Sequence, residues 1–169
     1  MNKKLFTSIL LILFLSQLVF SAEPGFREVT ESDITFQWKI DGEELIIILS
    51  APTEGWVAVG FNPSKVMKDA DFILAYVDGS RVHIEDHFGT GLFGHKIDTS
   101  IGGTDNVEVI EGKEEMGSTT VKFSIPLNSG DEYDKVLAEG DDVKVLLAFG
   151  DRDDLTRKHK RRTSVEIEL

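Results

Sequence analysis

The feature that most constrains this chain is a period of two. Ile34-Thr35-Phe36-Gln37-Trp38-Lys39-Ile40 alternates apolar with polar residues, Arg81-Val82-His83-Ile84-Glu85-Asp86-His87-Phe88 does so again, and Thr119 to Ile125 and Ser164 to Leu169 repeat the pattern. Successive side chains of a strand point to opposite faces, so such segments are strands with one wet and one dry side. Leu45 to Leu49, Trp56 to Phe61, Phe72 to Val77 and Val143 to Phe149 are more continuously apolar and read as buried strands. Val107 to Ile110 is a short addition to the set. Asp41-Gly42 and Asp78-Gly79-Ser80 are turn signals between neighbouring strands. Gly89 to Asn106 holds five glycines and no sustained period, which reads as one long loop, and Tyr133 to Ala138 offers one short helical possibility. About ten short strands with almost no helix predict an all-β fold, an antiparallel β-sandwich.

The first 22 residues stand apart. A cationic start (Asn2-Lys3-Lys4), an apolar run from Leu5 to Phe20 with four polar interruptions, and small Ser21-Ala22 read as a secretory signal peptide. The run is short of the ~20 apolar residues that a spanning helix requires. This divides the chain into a signal at 1–22 and one domain at 23–169, and predicts a secreted or periplasmic protein. Without cysteine there is no lipobox, no disulfide, no thiolate metal site and no covalent haem attachment. Loss of Lys3 and Lys4 leaves 16 basic residues against 30 acidic, a net charge of −14 for the mature domain. A phosphate backbone needs a basic face, so nucleic acid is excluded as a partner class.

Chemistry-bearing residues are few. His83 and His87 share a strand face about 13 Å apart at ~3.3 Å per residue, too far for one metal, and read as solvent-facing. Asp151-Arg152-Asp153-Asp154 lacks the glycine and terminal glutamate of a calcium loop and reads as a solvated turn. No nucleophile elbow, phosphate loop or zinc-protease motif is present, and the chain is not expected to be an enzyme. Met67 is the oddity: it sits between Lys65 and Lys68 beside Asp69-Ala70-Asp71, where no apolar period calls for it. It is either a gap-filling hydrophobe or a soft ligand. His159 lies in Arg157-Lys158-His159-Lys160-Arg161-Arg162, a cationic cluster in an acidic protein, and is either an ordinary exposed histidine or Met67's counterpart. Histidine with methionine is an axial pair of electron-transferring haems.

Gly55-Trp56-Val57-Ala58-Val59-Gly60-Phe61-Asn62 followed by Met67 and Ala70-Asp71, then Gly102-Gly103-Thr104-Asp105-Asn106-Val107, Phe123 to Leu127 with Asp131 and Asp134, and Leu147-Ala148-Phe149-Gly150 leading to His159, resemble a DOMON domain over nearly the whole mature chain. The resemblance implies an immunoglobulin-like β-sandwich that binds haem or sugar. By likeness to the cytochrome domain of cellobiose dehydrogenase it implies haem b held non-covalently between Met67 and His159, with one-electron transfer as the function. Ser124 stands where many members carry arginine, and Lys160-Arg161-Arg162 where the histidine is often followed by Arg-Gly. Trp56, Phe61, Tyr76, Phe88, Phe93 and Phe149 are candidates to wall the ring. Lys158, Lys160, Arg161 or Arg162 are candidates to neutralise propionates or to dock an acidic redox partner, soluble or membrane-bound. The alternative is a carbohydrate-binding module of the same fold without haem, with Trp56 or Trp38 as stacking platform.

Overall fold

The structure, a computed structural model, describes residues 23–169. The signal-peptide reading of residues 1–22 lies outside the described residues. Eleven strands form two antiparallel sheets, and among the described residues the only helical element is a 3-10 turn at Asp98–Ser100. The strands are β1 (Arg27–Glu31), β2 (Ile34–Asp41), β3 (Glu44–Ala51), β4 (Val57–Phe61), β5 (Asp71–Asp78) and β6 (Arg81–Gly91). They continue as β7 (Gly94–Ile97), β8 (Glu108–Glu115), β9 (Ser118–Pro126), β10 (Asp142–Phe149) and β11 (Arg161–Glu168). One sheet runs β1-β2-β3-β9-β8 and the other β11-β10-β4-β5-β6-β7. This is the expected antiparallel β-sandwich.

Alternation decides which side chains enter the core. Ile34, Phe36, Leu45, Ile47, Leu49, Val121 and Phe123 of one sheet meet Val57, Val59, Phe61, Ile73, Val77, Val145 and Phe149 of the other, all buried in one cluster. Phe36 stacks on Trp38 at 5.2 Å and meets Phe61 edge-on at 6.4 Å across the two layers. The turn after β2 is Gly42-Glu43, with Gly42 at φ 65° supplying the left-handed residue of a two-residue hairpin.

The segments expected as a long loop and as a helix differ from those expectations. The glycine-rich stretch from Gly89 contains the end of β6, all of β7 and the 3-10 turn, because a hairpin at Leu92-Phe93 returns the chain along β6 with a register shift between Phe88 and Gly91. Glycines that break period two in sequence are here a bulge and close approaches. Tyr133 to Ala138 forms no helix; Leu137 is buried and its N–H donates to the carbonyl of Leu127 at 2.8 Å, so the segment closes one end of the sandwich as an irregular cover.

The second sheet has an outer face that is also apolar. Register pairs Ala58 with Leu74 and Ala148 with Ala58, and places Phe72 beside Gly60, so that side chains of even parity on β4, β5 and β10 form a second cluster. Trp56, Ala58, Ala70, Phe72 and Leu74 are buried there, with Met67, Tyr76, Leu146, Ala148 and Leu155 packed around them. A sandwich sheet normally shows water a polar outer face. This one is dry where two loops rise over it.

Candidate functional site

The two loops carry Met67 and His159. The first follows β4 and is a tight, hydrogen-bonded turn. The N–H of Ser64 donates to the Lys68 carbonyl at 2.8 Å, that of Lys68 to Lys65 at 3.0 Å and that of Ala70 to Met67 at 3.2 Å. Val66, immediately before the methionine, takes φ 57°, a left-handed conformation uncommon for a β-branched residue, and Asp69 takes φ 60°. The turn is docked on β6 by two backbone bonds, Asp69 N–H to the Gly89 carbonyl at 2.7 Å and Gly89 N–H to the Ala70 carbonyl at 2.8 Å. Asp69 is held ionised below the usual carboxylate range, first by its bond from the Ser64 hydroxyl and then by Lys68.

The second loop joins β10 to β11. Asp154 accepts bonds from the N–H and hydroxyl of Thr156 and caps the turn, while the N–H of Lys160 returns to the Phe149 carbonyl at 2.7 Å and closes it. The loop leans on Trp56, whose backbone N–H donates to the Arg152 carbonyl and whose carbonyl accepts from Gly150. These contacts bring His159 back over the outer face of the sheet. Burial and then the positive charges of Arg162 and Lys158 push the His159 imidazole below its ordinary pKa, so at neutral pH it is uncharged with a free lone pair.

Two cavities open on this face, of about 530 and 810 Å³, and they share Ala58, Met67, Phe72, Ala148, His159 and Arg162. Met67 and His159, both half-buried, therefore stand where the two spaces join. The smaller cavity runs under the Met67 turn along Leu146 and Thr163; the larger runs towards Trp56, Leu74, His87, Phe93, His95 and Leu155. Ala58 and Ala148 lie side by side on adjacent strands as a flat floor, with Phe72 and Leu74 beside them. The size and apolar lining, with a few polar groups, are those of a cofactor-sized ligand site.

Several of the residues nominated from sequence lie elsewhere. Phe61 and Phe149 do not wall this space: their parity on β4 and β10 turns them into the inter-sheet core, where they are 0% and 3% exposed. Arg161 also points away, pairing with Asp33 at 2.6 Å, whereas its neighbour Arg162 lines both cavities. Tyr76 is on the correct face but stacks on His83 at 4.5 Å, beyond the cavities, and Phe88 packs edge-on against Tyr133 at 5.3 Å. Trp56, Phe93, Lys158 and Arg162 do line the larger cavity. Lys160 lies exposed beside it.

His87, expected in solvent, is 7% exposed, because β7 lays His95 across it. The two imidazoles meet Nδ1 to Nδ1 at 2.9 Å, His87 Nε2 lies 2.8 Å from Glu85, and His95 packs on the Phe72 ring at 5.6 Å. Burial first, and then its histidine neighbour, lowers the His95 pKa to about 4, so it is neutral. His95, Phe72, Leu74 and Leu155 were not foreseen as lining residues. The parity of β5 against Trp56 and Ala58 was the available signal for Phe72 and Leu74; nothing comparable marked His95, whose strand was hidden by glycines.

Comparison with known proteins places the fold. The chain is 27% identical over 139 residues to mouse (Mus musculus) DBH-like monooxygenase protein 2, covering 79% of this chain and 21% of that protein. It is 32% identical over 108 residues to the human (Homo sapiens) DOMON domain-containing protein FRRS1L, covering 63% of this chain and 34% of that protein. The chain thus spans about a third or less of the length of these relatives. Among solved structures, the cytochrome b domain of pyranose dehydrogenase from Coprinopsis cinerea superposes with a TM-score of 0.64 at 14% identity, over 85% of this chain and 81% of that one. The cytochrome domain of Myriococcum thermophilum cellobiose dehydrogenase gives 0.60 at 13% identity over the same shares. At such identities the likeness shows the fold. The family profile of the DOMON domain matches residues 30–150, from β1 through the end of β10, and the chain belongs to the DOMON domain family.

Proposed function

We propose that this DOMON domain is an exported b-type cytochrome domain. Haem would be held non-covalently between Met67 and His159, with the domain passing single electrons to and from a redox partner protein. One observation carries the reading: a thioether and a neutral imidazole line the same two cavities, above an apolar floor of alanines. The residues fit the group. Ala58 and Ala148 leave room for a flat ring, Phe72, Leu74 and Leu155 supply its apolar contacts, and the Trp56 Nε1–H is buried without an acceptor among the described residues. Haem supplies one-electron chemistry, and two strong axial ligands suit it to electron transfer, not to activation of a substrate at iron.

The chain's own residues would do the rest. The hydrogen-bonded turn at Ser64–Ala70 fixes the thioether, the depressed basicity of His159 keeps its lone pair available, and Arg162 and Lys158 offer positive charge at the rim for carboxylates. Lys158, Lys160 and Arg162, without Arg161 that pairs with Asp33, form a cationic edge on a protein of net charge −12, a docking face for an acidic redox partner, soluble or membrane-bound.

The carbohydrate-binding alternative loses its stacking platforms, because Trp38 and Trp56 are 5% and 4% exposed. The decisive test is the visible spectrum of the mature protein produced with ample haem, oxidised and then reduced with dithionite. Sharp reduced α and β bands are expected, and Met67→Ala and His159→Ala are each expected to abolish the six-coordinate low-spin spectrum while the sandwich stays folded. Native spectra in both variants would refute the ligand assignment. A colourless protein that takes up no haemin would refute the haem reading itself.

A further inference from the structure

At one end of the sandwich, on the core side of the sheet, four carboxylates gather with no basic side chain paired to them among the described residues. Asp71 on β5 and Asp86 on β6 share the parity of buried Ile73 and half-buried Ile84, so they point inward; they are 4% and 3% exposed. Asp134 comes from the cover after β9. One oxygen from each of Asp71, Asp86 and Asp134 lies within 4.8 Å of the other two. Asp98, in the 3-10 turn, is 1% exposed, and neither of its oxygens has a hydrogen-bond partner among the described residues. Asp86 Oδ1 and Asp134 Oδ1 are likewise unpartnered.

The backbone is arranged to crowd these groups together. Lys135 N–H donates to Asp71 Oδ2 at 3.3 Å and Asn106 N–H to Asp86 Oδ2 at 3.1 Å. Gly103 sits where any Cβ would come within 3.2 Å of both the Asp98 Cβ and Asp131 Oδ2. No lysine, arginine or histidine forms an ion pair with Asp71, Asp86, Asp98 or Asp134 among the described residues. A buried carboxylate oxygen left unpaired is strongly disfavoured; Asp86, Asp98 and Asp134 carry four such oxygens between them, and carboxylates gathered in one place repel one another as well. Burial first, and then repulsion from neighbouring aspartates, holds Asp71, Asp86, Asp98 and Asp134 above the usual carboxylate range.

We infer that Asp71, Asp86 and Asp134 form a calcium site, with the buried Asp98 adding negative charge beside it, that ties β5, β6 and the cover after β9 into one rigid end. The donors are all hard oxygens. Oxygens that share a calcium ion at about 2.4 Å lie no more than about 4.8 Å apart, and one oxygen from each of Asp71, Asp86 and Asp134 meets that limit. Magnesium keeps most of its water and suits a buried cage of carboxylates poorly. Asp71 begins the strand that leaves the Met67 turn, so the ion also anchors that turn from behind.

The inference stands without haem, and its test uses none. Unfolding of the mature protein is followed in EGTA, in millimolar CaCl₂ and in millimolar MgCl₂, and CaCl₂ is titrated calorimetrically into the EGTA-treated, desalted protein. Calcium is expected to raise the midpoint by about 5–10 °C over EGTA, as a site occupied at a hundredfold over its dissociation constant does for a domain of this size. Magnesium is expected to do far less. The double variant Asp86→Asn, Asp98→Asn removes charge without volume; it should fold at least as stably in EGTA and be indifferent to calcium. No calcium response and no binding heat in the unmutated protein would overturn the site, as would a double variant that responds like the parent. Equal responses to the two cations would overturn the assignment to calcium.

Discussion

Gly89→Ala is the sharpest probe of how the methionine turn is held. Gly89 lies buried on β6, and its conformation is open to any residue; only space forbids a side chain there. A Cβ at this position would overlap the Met67 carbonyl oxygen, with the Met67 carbonyl carbon 2.9 Å and the Ala70 nitrogen 3.1 Å away. These are backbone atoms, so no rotamer change relieves the clash, and the turn must lift from the strand. Lifting stretches the two bonds that dock it, at 2.7 and 2.8 Å. With about 1–1.5 kcal/mol for each lost bond, and residual overpacking of about 1 kcal/mol, the variant should lose about 3 kcal/mol. For about 150 residues that lowers the melting midpoint by about 6–12 °C. Chemical denaturation gives the free energy. Under the proposed haem reading, the visible spectrum of haem-loaded protein would report the position of the thioether, and a displaced Met67 is expected to weaken the low-spin bands even where the variant is fully folded. A Gly89→Ala protein with unchanged stability and an unchanged reduced spectrum would refute the idea that β6 positions Met67.

Other outcomes follow from the same geometry. Gly150→Ala would drive a Cβ into the Trp56 indole, 2.5 Å from Cε2 and 2.7 Å from Cδ1; a loss of about 1–3 kcal/mol is expected in urea unfolding, together with weaker haemin binding from displacement of the His159 loop. His95, lowered to about 4, binds its proton more weakly folded than unfolded, so its contribution is complete above pH 6.5 and is lost as pH falls towards 4. His95→Gln should flatten the acid limb of a pH series of unfolding midpoints. Asp86 and Asp98, raised to about 8 and about 7, act with the opposite sign: in EGTA, stability should fall as pH rises from about 4 to about 8. Asp98→Asn should shrink that fall, and calcium should abolish it in the parent protein.

Much of the fold was legible because period two is a local property. Ile34–Ile40, Arg81–Phe88 and Val143–Phe149 needed no partner to be read as strands, and turn chemistry at Gly42 and Gly79 marked where the chain reversed. The expectations failed where a neighbour, and not the segment itself, decides the structure. β7 is a strand because β6 offers it an edge, although its glycines argue for a loop; Tyr133–Ala138 is irregular, with Leu137 buried, because the end of the core needs a cover. The Met67 and His159 signals were chemical oddities visible in one dimension: a thioether among lysines, and a histidine within a cationic run.

What the sequence by itself determined, then, is the all-β character, the punctuation of the strands and the presence of two unusual side chains, Met67 and His159, in loops. Alternation and turn propensity act over a few residues, and donor chemistry belongs to the side chain alone. Only the tertiary structure decided the faces. Register sent Phe61 and Phe149 into the core and Ala58, Phe72 and Ala148 outward. It turned Arg162 to the cavity and Arg161 to Asp33, and it gathered three aspartates from three segments at one end. A strand's parity is fixed only when its partners fix its register, and a shift of one residue would exchange every inward side chain for an outward one. That dependence on distant strands is the physical reason a site can be named in sequence yet be assembled only in three dimensions.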